Sequence, residues 1–470
     1  MTASRQVGRA RTQKIMRTKS PRMLVGSTRL SIIMILLRYM PSSRSAAFRL
    51  LKSSHPRRLA SATNNDVDSV SQKNSNAVVV DAPSLTIYYN DVYKVDMPPG
   101  HRFPMKKYAL VREGLQAKVA AAQASLSGIT DEQKGRRRVQ CNFHVSPLAT
   151  KEQLITTHDP KYVHRYLTGN MTESENRNIG FPWSIQHVNR SLSSVGGTVA
   201  AAISAWEEYT RRNEYLQSIE DGKKDKQQQM STTQHPIHFL NEKTKHLCWA
   251  AHTAGGTHHA FYNRGEGFCI FSDIAVAANV LLQTYPTSIH RILIIDLDVH
   301  QGNGNAALFA TNDKVQTFSM HCSGNYFSKK ETSDLDVELP VGCDDSTYLS
   351  TLQHWLKRIE LHRFDNVKSS VHDDDQRRRQ QQQLQQKFDL IFYQAGVDIH
   401  ENDRLGRLSI TSAGISKRNA MVFDFAHRMQ CPLVITMGGG YPKEDDWSSI
   451  INAHVGVYWE AHQYLSKIVD

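Results

Sequence analysis

Two segments about forty residues apart hold most of the side chains in this chain that could do chemistry. Gly255-Gly256-Thr257-His258-His259-Ala260 places adjacent imidazoles on a Gly-rich stretch, and Ile294-Ile295-Asp296-Leu297-Asp298-Val299-His300 ends an apolar run with Asp-x-Asp-x-His. Oxygen and imidazole ligands for a divalent ion, with histidines nearby to move protons, are what a hydrolytic metal site needs.

Asp298 and His300 lie two apart, so in extended chain both project to one side, as do Asp296 and Asp298. Asp398 follows another apolar run, 388–395, and offers a third ligand from a neighbouring strand. Two carboxylates and one imidazole leave positions open for water and substrate, as catalytic zinc requires. His258 and His259 form the base apparatus: an imidazole near neutrality can take a proton from water and return one to a leaving amine. Each ring needs a partner on its other nitrogen, and Asp296 and Asn303 are the candidates. Tyr441, after Gly438-Gly439-Gly440, can donate its hydroxyl to the oxyanion formed on carbonyl attack. Singly, these residues read as strand-end caps, loop histidines and a surface tyrosine. Their coincidence at strand ends outweighs those readings.

The elements that must position them alternate. Strands are expected at 247–251, 291–297, 315–320, 388–395 and 432–437, and helices at 191–209, 273–282, 346–361 and 411–429. Near-continuous apolar strands separated by helices predict an α/β fold: a single three-layer domain with a mostly parallel central sheet. Charged, Gln-rich stretches near 211–245 and 367–387 break the rhythm and read as surface insertions.

The net charge of +12 is local: residues 1–65 carry 14 Lys and Arg and no acid, whereas the rest holds 43 basic and 45 acidic groups. Direct nucleic-acid binding is therefore not expected of the core. Six scattered cysteines without a Cys-x-x-Cys argue against a disulfide framework or a thiolate zinc site. No apolar stretch reaches the length of a spanning helix. Residues 1–65 read as a basic, Ser/Arg-rich transit peptide and 66–84 as a polar linker, leaving 85–470 as the catalytic domain. The expected destination is an organelle, mitochondrion or plastid; nucleus or cytoplasm is the alternative.

Gly255–Ala260, Gly267-Phe268-Cys269, Asp296–Gly304, Ala395–Asp398, Asp403-Arg404-Leu405-Gly406 and Gly439-Gly440-Tyr441 occur in an order that resembles the zinc-dependent histone deacetylase superfamily. That superfamily has the arginase-like α/β fold and includes acetylpolyamine amidohydrolases. Glu401–Ser409 and Val195-Gly196-Gly197-Thr198 look most like class IV and its bacterial members. The resemblance implies Asp298, His300 and Asp398 as zinc ligands, His259 as general base, His258 as supporting histidine and Tyr441 as oxyanion donor. Gly267 and Phe268 would line a tunnel for an acyl-lysine chain, with Tyr326 or Phe327 opposite. A structural potassium site would use Asp296, Asp298, His300, Ser319 and Met320, partly through backbone oxygens. Asn303 departs from the family, where many members have a carboxylate; an amide orients an imidazole without stabilising its charged form, so the histidine it contacts should titrate lower. The implied reaction removes acetyl or longer acyl groups from protein lysines, with acetylpolyamine hydrolysis or a non-catalytic acyl-lysine binding module as alternatives. An arginase-like two-metal enzyme is a distant rival, because Asp398-Ile399-His400 lacks the second aspartate at a spacing of two.

Overall fold

The computed structural model describes residues 84–124, 139–226, 244–325, 328–361 and 387–469. The proposed leader, the linker before Ser84, residues 227–243 of the first expected insertion, residues 367–386 of the second, and both Tyr326 and Phe327 lie outside the described residues. The strands are β1 (Ser84–Tyr89), β2 (Gln140–Val145), β3 (Trp249–His252), β4 (Ile292–Asp296), β5 (Val315–Cys322), β6 (Leu335–Leu339), β7 (Leu390–Gln394) and β8 (Leu433–Thr436). All pair in parallel, in the order β2-β1-β3-β8-β7-β4-β5-β6. The helices that matter below are α1 (Lys107–Ala124), α2 (Ile185–Lys226), α3 (Asp273–Thr284), α4 (Asp345–Glu360), α5 (Ser412–Met429) and α6 (Ser448–Val469).

Period-two alternation on doubly covered strands explains the layering. Along β4, Leu293 and Ile295 join the core under α1, α4, α5 and α6, whereas Ile292 and Ile294 join the core under α2 and α3. Every β4 residue is buried, each apolar one stabilising the fold by about 1.5–3 kcal/mol. Helix starts are set by side-chain caps: Ser272 accepts the Ala275 N–H, Asp344 that of Thr347 and Thr411 that of Gly414. The expected three-layer α/β fold is thus present, and its sheet is wholly parallel.

Two features differ from the expectation. Helix α2 runs on to Lys226, so residues 211–226 are helical and not part of an irregular insertion. The charges there pair along the helix: Glu208 takes both Arg211, at 2.5 Å, and Arg212, at 2.6 Å. Arg212 is itself buried and reaches the Leu247 carbonyl. Strand β1 and the two edge strands β2 and β6 were also unanticipated; β2 is half exposed and mixes polar with apolar residues, which removes the apolar signal.

Candidate active site

Four adjacent central strands, β3, β8, β7 and β4, each deliver part of the site from their C-terminal ends. His258 and His259 follow β3, Tyr441 follows β8, Asp398 follows β7, and Asp298 and His300 follow β4. This is the edge at which parallel sheets present functional groups.

Asp298, His300 and Asp398 are buried, and one ligand atom from each falls within 4.8 Å of the others. His300 Nδ1 lies 3.1 Å from Asp298 Oδ1 and 3.3 Å from Asp398 Oδ2. Backbone donors fix the carboxylates from behind: Gly439 N–H binds Asp298 Oδ2 at 2.7 Å and Val299 N–H binds Asp398 Oδ1 at 2.9 Å. Asp398 Oδ2 is buried without a hydrogen bond, an orphaned acceptor aimed at the other two groups. Burial and the neighbouring Asp298 push the Asp398 carboxyl up to about 6. Burial works against a charged His300, yet Asp298 and Asp398 hold it up to about 10. A buried centre this hungry for positive charge fits a divalent cation with mixed oxygen and nitrogen donors. A side chain at Gly439 would abolish it, because its Cβ would stand 2.0 Å from Asp398 Oδ2.

The two histidines take separate partners. His258 Nδ1 lies 2.7 Å from Asp296 Oδ2, and His259 Nδ1 lies 2.7 Å from Asn303 Oδ1. Both partners accept, so each ring carries its proton on Nδ1 and Nε2 is the basic nitrogen. Their surroundings drive the rings apart. Burial, then the nearby His258 and His300, holds His259 well below the ordinary histidine range. Burial also pulls on His258, but Asp296 and Asp298 outweigh it and raise it. One imidazole is therefore neutral while its tilted neighbour, 4.0 Å away between ring centres, favours charge. The Asn303-bound ring does titrate low, but burial and the neighbouring imidazoles cause it, and the Asn303 hydrogen bond itself pulls upward.

Tyr441 is held by residues that sequence reasoning did not single out as functional. Asp403 Oδ2 accepts its N–H at 2.6 Å, and its carbonyl accepts the Arg404 N–H at 2.9 Å. Burial, then the Asp398 charge, pushes Asp403 up to about 7. On the other side Lys107, 1% exposed, donates to the Gly440 carbonyl at 3.1 Å and sits over the Tyr441 ring. Burial pulls this ammonium down to about 8. Asp403 was legible as part of the Asp-Arg-Leu-Gly run; nothing in the sequence around Lys107 marks it.

Gly267 and Phe268 lie beside these groups. A Cβ on Gly267 would come within 2.9 Å of the His259 ring. Phe268 has φ +67°, a left-handed conformation that costs a phenylalanine about 1–3 kcal/mol. Hydrogen bonds from Gly267 N–H to Asn178 and from Phe268 N–H to Ile179 impose it. Its ring packs against Phe103 and Phe181, at 5.1 and 5.2 Å between centres, and lies 6.2 Å from that of Tyr441. Phe103 and Phe181 were not anticipated. Beyond them opens a groove of about 870 Å³ lined by Lys94, Asp96, His101, Arg102 and Arg404. Ser319 stands beside Asp296 in the β4–β5 register and accepts the Gly302 N–H, and Met320 packs into the core.

Comparison with known proteins matches residues 115–457 to the histone deacetylase domain. An uncharacterized protein of Picosynechococcus is 34% identical over 357 residues, covering 76% of this chain and 92% of its own. Histone deacetylase 2 of Arabidopsis thaliana is 32% identical over 198 residues, 42% of this chain and 45% of that protein. Saccharomyces cerevisiae RPD3 is 30% identical over 203 residues, 41% of this chain and 40% of that one. The chain thus aligns with less than half the length of these two named deacetylases. A solved histone deacetylase homologue, complexed with SAHA, shares the fold with a TM-score of 0.52 at 20% identity, covering 81% of this chain and 84% of its own. The chain belongs to the histone deacetylase family of hydrolytic deacetylases.

Proposed function

We propose that this deacetylase is zinc-dependent and removes acetyl or longer acyl groups from lysine side chains of proteins. The observation that carries the reading is the convergence of Asp298, His300 and Asp398 beside a neutral, Nδ1-anchored His259. Zinc, when bound by those three residues, supplies Lewis-acid polarisation of the amide carbonyl. His259 Nε2 accepts the proton of the attacking water and passes one to the departing lysine amine. Asp296 orients His258 and favours its charged form next to the developing negative charge. Tyr441 donates its hydroxyl to the oxyanion, with Asp403 and Lys107 fixing its backbone. Phe268 walls the acyl-lysine stem off from water, and the groove past Phe103 takes the flanking polypeptide. Potassium held by Asp296, Asp298, His300, Ser319 and Met320, partly through backbone oxygens, belongs to the same proposal. The Glu401–Ser409 run supports a class IV-type enzyme.

The test is the purified chain with its metal content measured, assayed on acetyl- to myristoyl-lysine peptides and on acetylated polyamines. Peptide hydrolysis with one zinc per chain is expected. A zinc-loaded protein that cleaves none of them would overturn the reading, and polyamine cleavage alone would replace its substrate. Tyr441→Phe should cost about 3 kcal/mol of barrier, a fall of ~10²-fold in kcat with KM little changed. An unchanged kcat would remove Tyr441 from the chemistry.

The acid-free composition of residues 1–65 supports an import signal for mitochondrion or plastid. A fluorescent protein fused behind residues 1–83 should collect in an organelle. Retention in cytosol or nucleus would refute the address and favour a histone substrate.

A further inference from the structure

Behind the His258-His259 loop lies a row of four polar side chains that the proposed reaction does not touch. Ser146 follows β2, Thr198 lies in α2, His252 ends β3 and Asp273 opens α3, and none is exposed to solvent. They are linked in sequence: Ser146 Oγ to His252 Nε2 at 3.1 Å, His252 Nδ1 to Thr198 Oγ1 at 3.0 Å, and Thr198 Oγ1 to Asp273 Oδ2 at 2.5 Å. The direction is forced. A hydroxyl has one hydrogen, and the Asp273 carboxylate only accepts, so Thr198 donates there. Thr198 must then accept from His252 Nδ1–H, which leaves Nε2 to accept the Ser146 hydroxyl. Burial pulls His252 down to about 3, so the ring stays neutral, and its two partners fix the tautomer.

The row ends on a hub. Asp273 Oδ2 also accepts the Gly256 N–H at 3.0 Å, and Oδ1 accepts the Thr257 N–H at 2.7 Å. Those are the two peptide groups just before His258. Gly255 and Gly256 have φ of +74° and +76°, so the backbone here follows no regular element and is held by what it touches. Its neighbours close in tightly. A Cβ on Gly255 would stand 2.3 Å from Asp273 Oδ2, and one on Gly197 would stand 2.5 Å from His252 Nε2.

We propose that the row Ser146–His252–Thr198–Asp273 is a positioning device: it holds the Asp273 carboxylate in place, and through Gly256 and Thr257 sets where His258 and His259 stand. This rests on the proposed role of His259 as proton carrier. Reacting groups tolerate little misplacement, and a 1 Å shift can cost roughly 10²-fold in rate.

Thr198→Val keeps the shape and removes the hydroxyl, breaking the row in the middle; Thr198→Ser keeps the link. In the full chain, Thr198→Val is expected to lower kcat at least ~10-fold with KM and metal content unchanged, and Thr198→Ser to stay within about threefold of the parent. Amide exchange at Gly256 and Thr257 should speed up in the valine variant and not in the serine one. That second reading needs no turnover, so an inactive parent would sink the functional proposal alone. A valine variant with parental kcat, or with unaltered exchange at those two amides, would overturn the positioning role. Should Thr198→Val fail to fold, Asp273→Asn is read by the same criteria.

Discussion

Asp298→Ala is expected to leave the protein without its metal and without detectable hydrolysis. Asp298 occupies the centre of the proposed ligand set: its Oδ1 lies 3.1 Å from His300 Nδ1, and its Oδ2 receives the Gly439 N–H at 2.7 Å. Alanine removes one of only two carboxylates, and with it much of the charge that draws a cation into a buried site. It also strands the Gly439 N–H, so the loop carrying Tyr441 loosens as the site empties. Two losses from one substitution make this the largest effect expected of any single change. Elemental analysis decides it: a variant that retains a full equivalent of zinc refutes the ligand assignment.

His259→Ala should separate chemistry from metal binding. In the proposed reaction the imidazole contributes proton transfer and no ligand atom, so zinc content should match the parent while kcat falls by about 10²–10⁴, roughly 2.7–5.5 kcal/mol. The ring is well suited to the task because burial keeps it neutral and Asn303 fixes its tautomer at 2.7 Å. Turnover within a few-fold of the parent would move the base elsewhere. His258, whose ring centre is only 4.0 Å away, would be the first residue to test.

The cluster of Asp298, His300 and Asp398 and the two imidazoles were legible because each follows a buried strand that announces itself as an apolar run. Arg291–Leu297 and Phe388–Ala395 are visible in composition alone, and the residues just past them fall at the sheet's functional edge. Leu335–Leu339 was overlooked although it alternates apolar with acidic residues, the pattern of a strand covered unevenly at an edge. Lys107 and Phe103 could not be read, since nothing local distinguishes a lysine bound for a buried carbonyl pair from one bound for water. Their roles arise from where α1 meets the β8 loop, which is a property of tertiary packing. The same holds for the row ending at Asp273: its members are scattered over more than a hundred positions and converge only in the folded protein.

The adjacency of β3, β8, β7 and β4 has a consequence for how the protein comes into being. Asp298 and Asp398 are separated by about a hundred positions, and β3 meets β8 only after nearly all of the sequence has been made. Such distant pairings form slowly, since the intervening chain must be gathered before any contact rewards it. A nascent chain that has emerged only as far as β5 holds Asp298 and His300 but not Asp398, two of the three proposed ligands. On the proposed ligand assignment, metal capture would be tied to the last stage of maturation, and chelation of the loaded protein is expected to destabilise the whole sheet cooperatively rather than one corner of it.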